Sequence, residues 1–313
     1  MRYAIIGTGA VGGYYGGLLA RHGLDIHFLL HNDYLHVKNH GLLVESCNGD
    51  FALSSVNAYH HAQDMPHCDV VIVALKTTQN FNLPSILPHV VKKTGIVVVL
   101  QNGLGVEKDI AQIVPSTVVI GGLCFLCSNK IGPGHIKHLD YGTITLGEYA
   151  SDYKPTGITK DLEFISQEFK DAGIPTQISG NLREARWKKL VWNVPFNGLS
   201  VVLNATTKAL MKSPFSRQLL QHIMIEVITG ARTCGYVIED TYADEMLKIT
   251  EQMANYKPSM KLDFENGRPL EIDKMYAQPI SEAESAGYIM TAVQTLTLQL
   301  RYLEERRNSD EYS

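Results

Sequence analysis

The strongest constraint on this chain stands within its first thirteen residues. Arg2-Tyr3-Ala4-Ile5-Ile6 is an apolar run of strand length, and Gly7-Thr8-Gly9-Ala10-Val11-Gly12 follows it directly. Residues from Gly13 to His22 read as the helix that this loop opens. A strand, a G-x-G-x-x-G loop and a helix in that order form the context for binding a dinucleotide. Gly7 permits a tight turn, Gly9 has no Cβ to block a pyrophosphate, and Gly12 lets the helix lie close on the strand. Phosphates placed there meet unpaired N–H groups and the positive end of the helix dipole. With 26 glycines in 313 residues the pattern alone is weak, and the flanking strand and helix give it weight. Gly7, Thr8, Gly9, Ala10, Val11 and Gly12 are therefore candidate cofactor-binding residues.

The segments that follow repeat the theme. Asp25-Ile26-His27-Phe28-Leu29-Leu30 reads as a second strand. The residue after such a strand meets the adenosine ribose, and NAD sites commonly place an acid there. Here it is His31, followed by Asn32 and Asp33. The missing carboxylate favours NADP, because an acid would repel a 2′-phosphate; the plainer reading makes His31 a loop residue. Cys68 to Leu75 and Gly95 to Leu100 are further apolar strands, leading into Lys76-Thr77-Thr78-Gln79 and Gln101-Asn102-Gly103. Apolar strands alternating with helix-length segments predict a parallel, doubly wound sheet, in which ligands sit beyond the C-terminal strand ends. Lys76 and Asn102 stand at two such ends, although Asn102 before a glycine suits a turn equally well.

From Gly132-Pro133-Gly134 the texture becomes β-like alternation, as in Thr143-Ile144-Thr145-Leu146-Gly147. Leu162, Ile165 and Phe169 then recur on one helical face, closed by Gly173. A short strand from Pro175 to Ile178 leads to Ser179-Gly180, where a domain boundary is expected. Residues 1–179 then form a dinucleotide-binding domain and residues 180–313 a helical one, as the chain length also suggests.

Composition excludes several other classes. Hydrophobic content of 45% and a net charge of −4, with no basic patch, leave nothing to bind nucleic acid. No apolar stretch approaches the about 20 residues of a membrane span. The N-terminus reads as a strand and glycine loop rather than a signal peptide, so a cytoplasmic location is expected. Five cysteines, an odd count, argue against a disulfide framework. Cys124 and Cys127 spell C-x-x-C, but they fall in a strand-like run where residues three apart face opposite ways, so they read as structural. The 12 histidines make no convincing metal-ligand spacing, and no metal site is expected.

The second half opens on Arg186-Trp187-Lys188-Lys189-Leu190-Val191-Trp192-Asn193-Val194-Pro195-Phe196-Asn197. Lys189, Asn193 and Asn197 are spaced by four and share one stripe of a helix, while the rest of the circumference is largely apolar. So apolar a helix is buried, and buried polar groups are costly without partners; the stripe therefore reads as facing a ligand rather than solvent. Pro195 removes the bond to the Val191 carbonyl and is expected to kink the helix. Further on, Asn266-Gly267-Arg268-Pro269 marks a turn before a helix containing Glu271, which on its own reads as a surface carboxylate. Ile289, Ala292, Val293, Leu296 and Leu300 give the last helix a core spacing, and the chain is expected to fray from Arg307 to Ser313.

Taken together, these residues resemble the ketopantoate reductase (2-dehydropantoate 2-reductase) family over nearly the whole chain. The resemblance rests on the glycine loop at 7–13, Leu75-Lys76 with Gln79, Gln101-Asn102-Gly103, Lys189-x3-Asn193-x3-Asn197, and Ser259 twelve residues before Glu271-Ile272-Asp273. It implies an α/β architecture: an N-terminal Rossmann-type dinucleotide-binding domain followed by an all-helical C-terminal domain. It also implies NADPH-dependent reduction of 2-dehydropantoate to pantoate, a step towards pantothenate and coenzyme A. By position, Lys189 is then the general acid and Glu271 its orienting partner. Asn193 and Asn197 hold the substrate hydroxyl, Ser259 its carboxylate, and Asn102 stands beside the nicotinamide. Lys76 and Gln79 contact the cofactor. The chain departs from the family pattern at His31, where arginine is common, at Pro195, at Ala277 and near Ile289-Met290. Reduction of a different 2-oxo acid is the enzymatic alternative, and a non-catalytic dinucleotide sensor the other; retention of Lys189 with Glu271 speaks against the sensor. A homodimer is one assembly the resemblance allows.

Overall fold

Strand β1 (Arg2–Ile6) runs into the glycine loop and helix α1 (Ala10–Arg21), which begins three residues earlier than its apolar pattern predicts. The computed structural model describes residues 1–309. They divide into one unit of residues 1–101 with 106–182 and a second of residues 102–105 with 183 onward.

The first unit adds β2 (Asp25–Leu29), α2 (Tyr34–His40), β3 (Leu42–Ser46), β4 (Phe51–Leu53) and β5 (Asn57–Tyr59). It continues with β6 (Cys68–Val73), α3 (Leu83–Val90), β7 (Val91–Val99), α4 (Val106–Ile113) and β8 (Val118–Gly132). Strand β9 (His135–Glu148), α5 (Lys160–Asp171) and β10 (Thr176–Ile178) complete it. The strands make one sheet in the order β4-β3-β9-β8-β7-β6-β1-β2-β5, with β10 beside β9. From β8 to β5 every neighbour is parallel, as the apolar strands predict. The sheet is nevertheless mixed. Pro133 and Gly134 turn the chain back so that β9 pairs antiparallel with β8 over nearly its full length, and β3 then adds parallel to β9. Strands β3 to β5 are only five, three and three residues long, too short for alternation to reveal them.

Alternate strand residues feed two separate cores, as expected where helices cover both faces of a sheet. Tyr3, Ile5, Val70, Ile72 and Val98 pack with Leu19 of α1 and with Leu162, Ile165 and Phe169 of α5. Ala4, Ile6, Val71, Val73 and Val97 pack on the other face with Leu83 and Leu87 of α3 and Ile110 of α4. Gly173 ends α5 as its position predicts. The Gly173 and Ile174 N–H groups close on the Lys170 and Phe169 carbonyls at 2.9 Å each, the paired bonds of a Schellman cap.

The second unit is built on helices, and none of its described residues forms a strand. They are α6 (Leu182–Val202), α7 (Thr207–Lys212), α8 (Pro214–Thr233), α9 (Thr241–Gln252) and α10 (Ser259–Glu265). After a π-helical turn (Asp273–Ala277) come α11 (Gln278–Ser285) and α12 (Thr291–Asn308). Trp187, Leu190, Val191, Val194 and Phe196 of α6 join the core of this unit, and so does Leu104 from the short excursion of residues 102–105. Helix α6 continues through Pro195 without a break. Around that residue, backbone carbonyls take side-chain donors: Val194 from the Tyr276 hydroxyl at 3.0 Å and Asn193 from the Asn197 amide at 3.0 Å.

Three expectations for this unit need correction. Glu271 does not lie inside a helix but immediately before one, and it is buried rather than at the surface. Its carbonyl accepts the Met275 N–H at 3.3 Å, a bond of ordinary α-helical spacing that leads into the π-helical turn. Ile289 does not belong to the core: it precedes α12 and is 64% exposed, while Met290 is buried in its place. Arg307 and Asn308 still belong to α12, and the rest of the expected fraying lies largely outside the described residues.

Candidate active site

The glycine loop shows a separate physical reason for each of the three glycines of its motif. Gly7 has φ +98°, and a Cβ there would stand 2.6 Å from the Leu75 nitrogen. At Gly12 a Cβ would stand 2.2 Å from the Gly7 carbonyl oxygen and 3.1 Å from Ile5, so α1 seats directly on β1. At Gly9 the opposite holds: a Cβ would meet no atom within 4 Å. The protein itself does not need a glycine at Gly9, and a pyrophosphate lying on the backbone does. Helix α1 begins without a side-chain cap and without an acid in its first turn. The N–H groups of Ala10, Val11 and Gly12 therefore meet no side-chain acceptor at the cap, the condition for receiving phosphate. Thr8 turns inward, its hydroxyl donating to the Leu29 carbonyl at 3.2 Å, and so fixes the loop against the end of β2. These residues fit a dinucleotide.

Beyond β6, Lys76 caps a 3₁₀ turn (Thr77–Asn82) and its carbonyl accepts the Gln79 N–H at 2.9 Å. Gln79 is exposed, and its side-chain oxygen accepts from the Asn82 amide at 3.3 Å. The turn is held by a residue that the motif contains but that carries no predicted role. Gln101 is buried at the end of β7, and its amide donates to the Leu75 carbonyl at 2.9 Å and to Asn80 Oδ1 at 2.6 Å. A lone polar residue closing an apolar strand is the signal that marks it. His31 follows β2 in an exposed position, its ring 6.0 Å from that of His60.

In the second unit, four of the six predicted substrate and catalytic residues form one polar network. Asn193 donates to Asn102 Oδ1 at 3.4 Å, which draws the residue after Gln101 to the stripe on α6. One turn along, Asn197 Oδ1 accepts the Met260 N–H at 3.1 Å and faces the Ser259 hydroxyl at 3.5 Å. Asn193 and Asn197 are almost completely buried, so their amides are oriented by partners rather than by solvent. Met260 and Met275, whose sulfur lies 3.9 Å from the Asn193 amide, have no polar signature in sequence and could not be read from it. Lys189 sits one turn before Asn193 on the same helix and is half-buried.

The Asn102 loop is held by the π-helical turn. Such wide turns recur at functional sites, and here the Lys274 carbonyl accepts the Leu104 N–H at 2.9 Å. Gly103, with φ +88°, passes so close that a Cβ would stand 2.3 Å from that carbonyl oxygen.

Comparison with known proteins gives a consistent answer. The family model described as ketopantoate reductase PanE/ApbA matches residues 3–151, and its C-terminal counterpart matches residues 181–304. The 2-dehydropantoate 2-reductase of Nostoc sp. is 52% identical over 308 residues, covering 98% of this chain and 97% of that protein. The crystal structure of 2-dehydropantoate 2-reductase from Geobacter metallireducens superposes with a TM-score of 0.92 at 40% identity, covering 96% of this chain and 99% of that one. The dimeric ketopantoate reductase of Staphylococcus aureus shares the fold, with a TM-score of 0.81 at 18% identity over 98% of this chain and 100% of that one.

Proposed function

This chain belongs to the ketopantoate reductase family, and from that premise we propose that it reduces 2-dehydropantoate to pantoate with NADPH, in pantothenate and coenzyme A biosynthesis. The observation that carries the site assignment is the Asn102–Asn193–Asn197–Ser259 network, whose two central amides, Asn193 and Asn197, are buried. Oriented amides in a dry environment select a substrate by its hydrogen-bonding groups rather than by its bulk.

In this reading residues 1–179 form the dinucleotide-binding domain and residues 180–313 the substrate domain. Gly7 to Gly12 receive the pyrophosphate, with His31, Lys76 and Gln79 along the same cofactor. When bound, the reduced nicotinamide supplies hydride to the keto carbon. The oxygen of that carbon gains a proton from the Lys189 ammonium, which removes the charge developing there and contributes about 10²–10⁴ in rate. Glu271, buried at the head of the π-helical turn, keeps Lys189 oriented. Asn193 and Asn197 pair with the substrate hydroxyl, Ser259 with its carboxylate, and Asn102 fixes the space beside the reacting carbon. A homodimer and a cytoplasmic location complete the reading; all five cysteines are free thiols, which fits a reducing compartment.

The test is steady-state oxidation of NADPH with ketopantoate and with 2-oxoisovalerate, which lacks the hydroxyl. An unsatisfied buried amide costs about 1–3 kcal/mol, so kcat/KM should favour ketopantoate by roughly 5- to 150-fold. Lys189→Ala should lower kcat on ketopantoate by at least about a hundredfold while NADPH still binds. Equal kcat/KM for the two acids would defeat the ketopantoate assignment, and wild-type turnover in the variant would remove Lys189 from the chemistry.

A further inference from the structure

Strands β1, β2 and β5 lie side by side in parallel, with β5 at the border of the sheet. The glycine loop, His31 and His60 therefore leave the sheet along one edge. The Leu30 N–H donates to the Tyr59 carbonyl at 2.9 Å and keeps the last two exits level. Beyond that bond the rings gather. Tyr34 stacks on His60 with centroids 5.2 Å apart and planes inclined by 24°, and His31 lies 6.0 Å from His60 on an inclination of 33°. Lys38 completes the group, its ammonium 3.0 Å from the Tyr34 hydroxyl.

The carboxylate that could oppose an anion here is turned away. Asp33, the sole acid of residues 31–40, is buried; it pairs with Lys130 at 2.6 Å and accepts the Gly134 N–H at 3.1 Å. An acid that hydrogen-bonds the ribose hydroxyls would have to face the other way. The edge thus offers imidazole N–H donors and an ammonium, with nothing of opposite sign among residues 31–40 directed at it. Both histidine rings are exposed at the surface, and the stacked Tyr34 limits the orientations open to His60.

We propose that His60, paired with His31 and braced by Tyr34, is a specificity-determining residue that binds the 2′-phosphate of an adenosine 2′-phosphate cofactor. This rests on the reading of the chain as an NADPH enzyme and adds the residue, distant in sequence from the glycine loop, that selects the phosphorylated cofactor. His60 arrives from β5, a three-residue strand that alternation does not reveal, so only the fold brings it beside His31.

Calorimetric titration of the full-length protein with adenosine 2′,5′-bisphosphate and with adenosine 5′-monophosphate tests the subsite without turnover, since the two differ only in the 2′-phosphate. The wild-type protein should bind the bisphosphate more tightly. His60→Ala should shrink that preference about tenfold, the loss of one hydrogen bond to a charged group, with monophosphate affinity unchanged. His60→Arg should retain the preference or raise it. An unaltered preference in His60→Ala, or no preference in the wild type, overturns the proposal. Reduction of ketopantoate is scored separately: a protein that selects the 2′-phosphate and reduces no ketopantoate keeps the subsite and loses the proposed function.

Discussion

Gly9 and Gly12 stand three residues apart and answer to different demands. Replacing a helical glycine by alanine ordinarily stabilises by about 1 kcal/mol. At Gly12 the sign reverses, because the added Cβ would stand 2.2 Å from the Gly7 carbonyl oxygen. Gly12→Ala is expected to cost about 1–3 kcal/mol, read as a lower urea midpoint, and to weaken NADPH binding with it. At Gly9 the added methyl meets no protein atom within 4 Å. Gly9→Ala should therefore leave the urea midpoint unchanged and raise the NADPH dissociation constant, measured by nucleotide fluorescence, about tenfold or more. Equal effects of both variants on both readouts would show that the two glycines are not separable in this way. Both roles are legible in the sequence because the loop is local: strand, glycines and helix are contiguous, so spacing alone fixes which residue faces what. The substrate network is legible only in part. Asn193 and Asn197 announce themselves as amides on an apolar helix, whereas the Met260 N–H that orients Asn197 comes from 63 residues away and leaves no trace in side-chain chemistry.

The same limit governs elements. Apolar spacing places the start of α12 at Ile289, yet the helix begins at Thr291 with Ile289 exposed. What sets the start is a cap supplied from α8. The two oxygens of the buried Glu226 accept the Ala292 and Val293 N–H groups at 2.9 and 2.7 Å. A carboxylate against a helix N-terminus satisfies orphan donors and meets the positive end of the dipole, and a cap 66 residues distant cannot be read from periodicity. Glu226→Gln replaces one acceptor by an amide that faces an N–H donor. It should cost about 1.5–3 kcal/mol, the range for hydrogen bonds to charged groups, with the expected readout a lower thermal midpoint and faster amide exchange in the first turn of α12. A midpoint equal to that of the wild type would mean that the α12 terminus is held by packing alone. By contrast, the buried face and the end of α5 are readable in the sequence, because its apolar spacing and its closing Gly173 are both local features.

For the whole molecule, the segment 102–105 matters most. It is interposed between residues of the first unit yet belongs to the second. Leu104 is fully buried in the helical core, and its N–H donates to the Lys274 carbonyl at 2.9 Å. Leu104→Ala in the full-length protein is expected to cost about 2–5 kcal/mol. Because the lost contacts lie among helices, the fall should be monitored by the fluorescence of Trp187 and Trp192, both in that core. A tryptophan transition at the wild-type urea concentration would show that Leu104 does not support that unit. The sequence places residues 102–105 at a strand end and so in the first domain; nothing in four residues reveals which core they join. This arrangement also bears on how such a gene can be inherited. A single crossover near codon 182, joining the front of one ancestral gene to the back of another, would deliver a foreign Leu104 and Asn102 into the recipient's helical half. Viable hybrids therefore need either matched ancestry at those four codons or a second pair of breakpoints around them, and lineages should carry that tetrapeptide as a linked trait of the distant half of the gene.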